Sequence, residues 1–228
     1  KKPLTIAAPA LAALLKASRD QHRIWRYETT VGASLPVIDT LKNLVRTGDH
    51  VRLVEGSLSG TLGYLTNEVM AGTPLSYAVR IAKEKGYTEP DPRDDLNGMD
   101  VARKALILAR ELGLSVELSD VQVEPFVPAA LFDAPTVEAF LRGLEGIDAE
   151  FAARIARLSD QGKTLRYLCR IQPGGDRPTL TVGPVEVPRD HPAAQLRGSE
   201  AFVAFTTARY ADYPLIVRGA GAGGAVTA

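Results

Sequence analysis

The acid-rich segment at residues 86–104 holds the side chains of this chain that are best suited to chemistry. Its sequence is GYTEPDPRDDLNGMDVARK, in which a proline-containing turn with Glu89 leads into a helical pattern with Asp100 and Lys104. Proline fixes φ and pushes the preceding residue towards extended backbone, so we expect the turn around Glu89 to be stiff. Asp100 and Lys104 are four residues apart and therefore neighbours on one helix face. The sequence thus places an acid and an amine side by side, with a second acid close by.

Three interpretations of this segment compete. The simplest is a solvated loop with an ordinary ion pair, which contributes only about 0.3–0.5 kcal/mol. A helix–loop–helix calcium site is disfavoured, because placing Gly98 at the glycine position of such a loop puts Arg93 and Lys104 where acidic ligands are needed. The third is a polar substrate pocket, in which carboxylates hold an ammonium group and the lysine handles a proton or a developing oxyanion. We favour the pocket.

Composition and charge narrow the class of partner. The chain has 228 residues and 45% hydrophobic content, enough for one good-sized core or a core with an appendage. Its 27 basic and 27 acidic side chains balance, so no net field attracts nucleic acid or an anionic membrane. The longest apolar run, near 7–15, is too short to span a bilayer. These features predict neither nucleic acid nor a membrane as partner. A small-molecule substrate is predicted by the pocket interpretation of residues 86–104.

The single cysteine gives information about the redox state of the cellular compartment. Cys169 lies in an alternating, strand-like run at 165–171, where a small buried thiol is a better interpretation than a nucleophile. One cysteine cannot form an internal disulfide, which agrees with a reducing compartment. We therefore predict a cytoplasmic protein.

The elements that must position these residues alternate along the chain. Ser34 is a candidate N-cap for one helix, with Pro36 in its first turn. We predict helices over 8–19, 35–46, 60–70, 75–85, 96–112, 137–144 and 149–158, and strands over 23–27, 50–54, 165–171, 179–186, 201–208 and 214–217. Such an order predicts an α+β fold, with helices on one face of a mixed, largely antiparallel sheet.

Segment 86–104 resembles the signature of the homoserine dehydrogenases, and further pieces are similar to that family in the same order. They are KKP at 1–3, YETTVGASLP at 27–36, EGSLSGT at 55–61, HP at 191–192, GAGAG at 219–223 and VTA at 226–228. The resemblance covers essentially the whole chain and is weakest between 126 and 189. There, GKTLRY at 162–167 is more similar to the bifunctional aspartokinase–homoserine dehydrogenases than to the single-function enzymes.

The resemblance implies an oxidoreductase that uses NADP or NAD to interconvert L-homoserine and L-aspartate 4-semialdehyde, in threonine and methionine biosynthesis. It assigns catalysis to Lys104 and Lys1, and it places Gly223 against the cofactor. The family's substrate-binding positions correspond to Glu89, Asp100, Asp95, Gly60, Thr61 and Tyr87. A free lysine has a pKa near ~10.4 and is a poor base at neutral pH, so we expect Lys104 to act at least partly as an electrostatic stabiliser.

The resemblance also implies a monovalent cation, usually sodium. Its ligands would be Glu28 and the backbone carbonyls of Val31, Ala33 and Leu35. Hard oxygen ligands around a glycine-containing bend suit such an ion, although these residues alone indicate only a strand end and a turn. No His/Cys cluster with zinc spacing occurs in the sequence, and the loop residue His191 is more typical of a structural or solvated histidine than of a catalytic one.

For domain organisation, the resemblance implies that a Rossmann nucleotide-binding domain is absent from this chain. Residues 1–228 would then be the substrate-binding, catalytic and dimerisation domain, cut at both ends and inactive without its partner domain. No G-x-G-x-x-G lies between a strand and a helix within a βαβ unit, as a dinucleotide fold requires. The one glycine-rich run, at 219–224, follows an apolar strand and is a weak signal on its own. The family's sheets pair in a homodimer, and we expect the apolar strand at 201–205 to supply such a surface. A noncatalytic dimerisation or amino-acid-binding regulatory module stays open as the alternative.

Overall fold

The structure is a computed structural model that describes residues 2–175 and 177–220. In that part of the chain, one six-stranded sheet has the strand order β2-β4-β3-β1-β5-β6. The strands are β1 (Val51–Ser57), β2 (Val121–Val123), β3 (Lys163–Gln172), β4 (Thr179–Pro188), β5 (Glu200–Thr207) and β6 (Leu215–Ala220). The pair β2–β4 is parallel and the other four pairings are antiparallel. The predicted mixed, largely antiparallel sheet is therefore confirmed.

Helices cover one face of the sheet. They are α1 (Ala8–Asp20), α2 (Val37–Arg46), α3 (Gly60–Met70), α4 (Leu75–Glu84), α5 (Arg93–Leu96), α6 (Met99–Glu111), α7 (Val137–Glu145) and α8 (Asp148–Asp160). Helix α6 lies between the sheet and α2, and its Ala102, Ala105 and Leu106 are fully buried. Short 3-10 turns occur at Lys2–Thr5, Glu28–Thr30, Leu118–Asp120, Ala129–Asp133 and Pro192–Gln195. Among the described residues, no helix combines the length and the apolar composition that a bilayer span needs.

The two faces of the sheet carry different side chains, as strand alternation requires. In β3, Leu165, Tyr167 and Cys169 point into the main core under the helices. Leu168 points to the other face, where a smaller apolar cluster includes Leu196 from the segment after β4. That segment covers part of the second face, so the helices lie on one side and a loop on the other.

Strand β5 is not the exposed dimer surface that the sequence predicts. It pairs with β1 on one side and β6 on the other. Phe202 is completely buried in the smaller cluster with Ala193 and Leu196, while Val203 and Phe205 pack into the main core. The apolar run at 201–205 is explained by burial within its own chain on both faces.

Residues 23–27 form no strand, so that prediction is wrong. They run as irregular backbone between α1 and the turn at Glu28–Thr30. Both edges of the central strand β1 are already paired, and the exposed side chains of Arg23 and Arg26 could not enter the core. Trp25 and Tyr27 pack edge to face, with ring centroids 5.8 Å apart, against the main core.

The start of α2 also differs from the prediction. The helix begins at Val37, and Pro36 rather than Ser34 is its N-cap. A distant carboxylate replaces the missing cap, since the two oxygens of Glu28 accept the N–H groups of Ile38 and Asp39, each at 2.8 Å. A cap from nine or more residues away leaves no local signal in the sequence.

The predicted helix at 96–112 begins later, as α6 at Met99, and the separate short helix α5 precedes it. Gly98 separates them with a φ of 74°, a left-handed conformation that favours glycine. The carbonyl of Leu96 consequently leaves the helical ladder and accepts the N–H of Phe126 at 2.9 Å. The break gives the acid-rich turn and the lysine-bearing helix independent orientations.

Candidate active site

Lys104 lies in the first half of α6, with its side chain 13% exposed. Its Nζ is 2.8 Å from Oδ2 of Asp100, one turn earlier, as the spacing of four predicts. It also donates to the carbonyl of Leu58 at 2.5 Å. A carboxylate and a carbonyl around an amine both favour the ammonium form. The arrangement therefore holds a fixed positive charge beside an acid.

The acceptor carbonyl lies where β1 ends and α3 begins. Leu58 follows directly after β1, which is hydrogen-bonded to β3 and β5. Ser59 then caps α3, because its hydroxyl accepts the N–H of Leu62 at 3.2 Å. Gly60 opens the helix on the exposed side, and the first N–H groups of a helix have no intrahelical acceptor. Lys104 thus lies beside a helix N-terminus that can bind an anionic group.

Thr61 links α3 to the acid-rich turn. Its Oγ1 donates to the carbonyl of Tyr87 at 2.6 Å and lies 3.0 Å from Oδ1 of Asp95. The other oxygen of Asp95 accepts the backbone N–H of Glu89 at 2.8 Å. Since the Thr61 hydroxyl has one hydrogen, it satisfies both oxygens at once only when Asp95 carries a proton and donates it.

The environment of Asp95 favours that proton. Burial raises the pKa of Asp95, and the negative charges of Glu89 and Asp100 raise it further. The hydrogen bonds from Glu89 and Thr61 act in the opposite direction without reversing the shift. Because the charges of both acids act on it, Asp95 lies near Glu89 of the turn and Asp100 of the helix. The three predicted carboxylates therefore belong to one cluster.

Glu89 and Tyr87 form the open side of the cluster. The side chain of Glu89 is exposed, and Tyr87 is 51% exposed. The Tyr87 ring packs edge to face on Tyr64, with centroids 5.2 Å apart, and Lys85 Nζ lies 6.0 Å from its centroid. The predicted site residues Glu89, Asp95, Asp100, Lys104, Gly60, Thr61 and Tyr87 all lie around the start of α3 and the turn before α5. This places them around a shallow, solvent-facing site.

A positioning pair that the sequence analysis missed stiffens the same turn. The guanidinium of Arg93 forms three contacts with the Asp91 carboxylate, of which the shortest is 2.6 Å from Nη2 to Oδ2. Its Nη1 donates to the carbonyl of Ala134 at 2.6 Å. The Arg93 pair lowers the pKa of Asp91. The Asp-Pro-Arg order was the available signal, because an Asp at the start of a turn bonds groups two residues on.

Two predicted residues, Lys1 and Gly223, lie outside the residues that the structure describes. Their roles in catalysis and cofactor binding stay predictions.

The predicted cation segment forms a bend with two left-handed residues. Gly32 and Ala33 have φ values of 79° and 53°, and the second is unusual for a residue with a side chain. The carbonyl of Leu35 accepts the N–H of Val37 at 2.8 Å, and the Glu28 carboxylate caps α2. The carboxylate of Glu28 and the carbonyl of Leu35 keep lone pairs beyond these hydrogen bonds, and the cation set of Glu28, Val31, Ala33 and Leu35 stays a prediction. Within residues 2–175 and 177–220, His, Cys, Asp and Glu side chains form no group suited to a metal ion.

His191 belongs to a partly exposed network around the buried Glu55, on the other face of the sheet. Its Nε2 donates to Glu55 at 2.8 Å, while its Nδ1 accepts the N–H of Ala193 at 3.1 Å. Arg170 Nε donates to the second oxygen of Glu55 at 2.5 Å. Burial raises the pKa of Glu55, but the hydrogen bonds from His191 and Arg170 outweigh burial and lower it overall. The structural interpretation of His191 agrees with this arrangement.

Comparison with known proteins identifies the family to which this chain belongs. The family model described as homoserine dehydrogenase matches residues 36–228. A maize chloroplastic bifunctional aspartokinase/homoserine dehydrogenase 1 is 48% identical over 92% of this chain and 23% of its own length. The homoserine dehydrogenase of Schizosaccharomyces pombe is 43% identical over all of this chain and 62% of its own. A solved Candida auris structure of unknown function has a TM-score of 0.91 at 39% identity, over 99% of this chain and 64% of its own.

The chain belongs to the homoserine dehydrogenase family. It spans about a quarter of the length of the bifunctional relative and about three fifths of the single-function one. Both kinds of relative match it, so a fusion to an aspartokinase stays a prediction.

Proposed function

We propose that this chain is the substrate-binding and catalytic domain of an enzyme that interconverts L-homoserine and L-aspartate 4-semialdehyde with NAD or NADP. The observation that carries the proposal is the cluster in which the Lys104 ammonium, 2.8 Å from Asp100, lies beside the N-terminus of α3 and the carboxylates of Asp95 and Glu89. A small zwitterion with an alcohol needs these three kinds of partner. Family membership supplies the identity of that zwitterion.

The substrate groups divide among the residues by charge. The exposed Glu89 and the 40%-exposed side chain of Asp100 are the acids available to the ammonium group. The N–H groups at the start of α3, around Gly60 and Thr61, and the Tyr87 hydroxyl suit the carboxylate. Asp95 does not face the ammonium directly in this assignment. It holds the Glu89 backbone and Thr61 in place.

The alcohol then lies against Lys104. As the alcohol loses its proton and a hydride leaves its carbon, negative charge grows on the oxygen, and a fixed ammonium stabilises that charge. NAD or NADP supplies the hydride acceptor when bound, with Gly223 as the residue of this chain nearest to it in the proposal. Asp100 keeps the amine charged between turnovers, and water takes up the released proton. Lys1 is the second lysine of the proposed mechanism.

Substitution of Lys104 in the whole protein tests this function. We expect Lys104→Ala to lower kcat by about 10²–10⁴-fold, the range for loss of one acid–base or oxyanion-stabilising group. The KM for homoserine should change by less than about threefold, since the ammonium and carboxylate partners remain. Arg103→Ala, on the same helix, is the control. Full turnover in Lys104→Ala would instead support the rival hypothesis of an amino-acid-binding regulatory module.

A monovalent cation at residues 28–35 is part of the proposal. The left-handed bend at Gly32 and Ala33 and the oxygen set around it support sodium as the ion. Replacing sodium chloride by choline chloride at constant ionic strength should lower the melting temperature of the protein if the ion is bound. An unchanged melting temperature would argue against the site.

We also propose a homodimer that forms through the uncovered part of the sheet. On the second face, a cleft of about 330 Å³ lies over β4 and the end of β2, lined by residues that include Gln122, Arg170, Thr181 and Val185. This cleft adjoins the apolar cluster around Leu196, against which Val185 packs. Light scattering should give twice the protomer mass, and Thr181→Arg should shift it towards one protomer. The cytoplasmic location stays a prediction from the single cysteine.

A further inference from the structure

The turn that carries Glu89 is attached to its surroundings at three successive residues. The N–H of Glu89 donates to Asp95 at 2.8 Å. The carbonyl of Pro90 accepts a hydrogen bond at 2.7 Å from Nζ of Lys83, in the last turn of α4. The carboxylate of the third residue, Asp91, is bound by an arginine that follows it. The conformation of this irregular segment therefore depends on side-chain contacts, since no helix or strand includes it.

Arg93 supplies the third attachment and extends it away from the turn. Its backbone N–H and its Nε both donate to the Asp91 carboxylate at 3.0 Å, and its Nη2 does so at 2.6 Å. Its Nη1 donates to the carbonyl of Ala134 at 2.6 Å and to that of Phe132 at 3.5 Å. The Arg93 side chain is only 23% exposed. All three guanidinium nitrogens are engaged, and together they join the turn to residues 132–134.

Residues 132–134 rest on the main core. Phe132 and Ala134 both pack against that core. The ring of Phe132 lies 6.1 Å from that of Phe140, a fully buried residue of α7. The Arg93 guanidinium is itself 6.0 Å from the centroid of the Phe140 ring, within the range of a cation–π contact. Arg93 therefore fixes Asp91 relative to the core of the domain.

The backbone between Asp91 and Glu89 can transmit that restraint. Pro90 lies between them with its φ fixed by the ring, and it also restricts the backbone of Glu89. Asp95 holds the Glu89 N–H through one hydrogen bond, which alone leaves the peptide free to rotate. Within residues 2–175 and 177–220, the hydrogen bonds of Glu89 involve its backbone alone, so the direction of its exposed carboxylate follows from that backbone.

We propose that Arg93 is a positioning residue: by holding Asp91 against residues 132–134, it directs the Glu89 carboxylate towards the ammonium group of the substrate. The inference rests on the proposed function, in which Glu89 binds that group. It makes Arg93 a determinant of the selection of an amino acid over the same acid without its amine, although Arg93 acts only through Glu89. An arginine that only stabilised the fold would leave this selection unchanged in the folded enzyme.

Steady-state kinetics of the whole protein test the proposal. We expect Arg93→Ala to raise the KM for homoserine by about 5–30-fold, which is part of the loss that a missing charge-assisted hydrogen bond causes. The kcat should change by less than about threefold, because a partner of the ammonium group binds substrate and transition state alike. 4-Hydroxybutanoate lacks the ammonium group, so its inhibition constant as a competitor of homoserine should also change by less than about threefold.

A double-mutant cycle with Glu89→Gln separates positioning from a general effect on the fold. In the Glu89→Gln background, Arg93→Ala should change the KM for homoserine by less than about threefold, because two residues that act through one group are not additive. Arg93→Lys should recover part of the KM, since it keeps a positive charge beside Asp91 without the planar fork that reaches both partners.

The matched control is Arg80→Ala. Arg80 lies in α4, and its Nη2 is 2.6 Å from Oε1 of Glu145 at the end of α7, so it joins the helix before the turn to the same α7. Its removal should leave the KM for homoserine unchanged. Hydrogen exchange gives an independent measurement, because the Glu89 amide should exchange faster in Arg93→Ala and not in Arg80→Ala.

Distinct results reject the positioning of Glu89 and the function on which it rests. Equal increases in KM from Arg93→Ala in the wild-type and Glu89→Gln backgrounds would reject the positioning, as would an unchanged KM in Arg93→Ala. An unchanged KM in Glu89→Gln would reject the assignment of Glu89 to the ammonium group, and this inference with it, while Lys104→Ala still decides the catalytic part of the function. If Arg93→Ala fails to fold, Asp91→Asn, which keeps the size of the side chain, should give a smaller increase in KM with the same dependence on Glu89.

Discussion

The carboxylate of Asp95 accepts the backbone N–H of Glu89 at 2.8 Å, so a half-buried acid sets the position of an exposed one. Its second oxygen lies 3.0 Å from the Thr61 hydroxyl, which ties the same acid to α3. The residue that fixes the site is therefore distinct from the residues proposed to hold the substrate.

Asp95→Asn should gain stability relative to the wild type as the pH rises. Burial raises the pKa of Asp95, as do the charges of Glu89 and Asp100, so the folded protein keeps the proton to higher pH than the unfolded chain. Ionising Asp95 above that point costs stability, whereas asparagine has no charge to gain. An asparagine can also accept from Glu89 and donate to Thr61.

Denaturant unfolding of both proteins at several pH values checks this. The difference in the free energy of unfolding should shift in favour of Asp95→Asn from about pH 4, near the unfolded pKa of an aspartate, to neutral pH. The exposed Asp94→Asn is the control, because it removes a charge from the same turn without contacting Thr61. A difference that stays constant with pH would mean that folding leaves the pKa of Asp95 unchanged.

Glu89→Gln should weaken selection for the substrate's ammonium group. A charge-assisted hydrogen bond contributes about 1.5–3 kcal/mol, so kcat/KM for homoserine should fall by roughly 10–150-fold. The measurement compares homoserine with 4-hydroxybutanoate, which lacks the ammonium group. The variant should lose activity with homoserine and lose little with the analogue. Equal losses with both substrates would indicate a damaged turn.

Gly98→Ala should destabilise the protein more than Gly113→Ala. Both glycines have left-handed backbone, with φ values of 74° and 80°, so both substitutions incur strain of about 1–2 kcal/mol. A Cβ at Gly98 would overlap the hydroxyl of Tyr167, whereas one at Gly113 would meet nothing within 4 Å. Overpacking adds about 1–3 kcal/mol at Gly98. Thermal or denaturant unfolding of the two variants measures the difference, and similar losses would contradict it.

Glu55→Gln should destabilise the protein at neutral pH by about 1–3 kcal/mol, because His191 and Arg170 lose their charged acceptor, while water still reaches the Arg170 side chain, which is 39% exposed. The folded pKa of Glu55 is lowered, so its stabilising effect is present above the unfolded pKa and is lost as the pH falls through the folded one. The difference in the free energy of unfolding between wild type and Glu55→Gln should therefore become smaller as the pH falls. Urea unfolding at pH 7 and below pH 4 measures this difference. Equal stabilities at pH 7 would contradict a stabilising role of the Glu55 contacts with His191 and Arg170.

The sequence predicted elements well where local signals decide them. Helix α3 occupies the predicted 60–70, because Ser59 caps it and apolar residues follow with helical spacing. Asp100 and Lys104 contact each other as their spacing requires. Predictions were wrong where distant contacts decide the conformation. The break at Gly98 depends on Phe126 and Tyr167, and the start of α2 depends on Glu28.

The residues of the site also divide into those that the sequence indicates and those that only the fold reveals. Its acids and its lysine were recognisable as residue types, whereas the acceptor of the lysine is the backbone carbonyl of Leu58, which any residue would provide. The identity of a side chain gives no information about such a partner. Only the fold brings the end of β1 to α6.

Because β1 lies in the middle of the sheet, the Leu58 carbonyl that follows it resists local unfolding. Sheets fray from their outer strands, here β2 and β6, while a strand bonded on both sides separates only when its neighbours do. The oxygen that orients the Lys104 amine is therefore carried by one of the last parts of the molecule to open. Heat should loosen the periphery long before it disturbs this anchor.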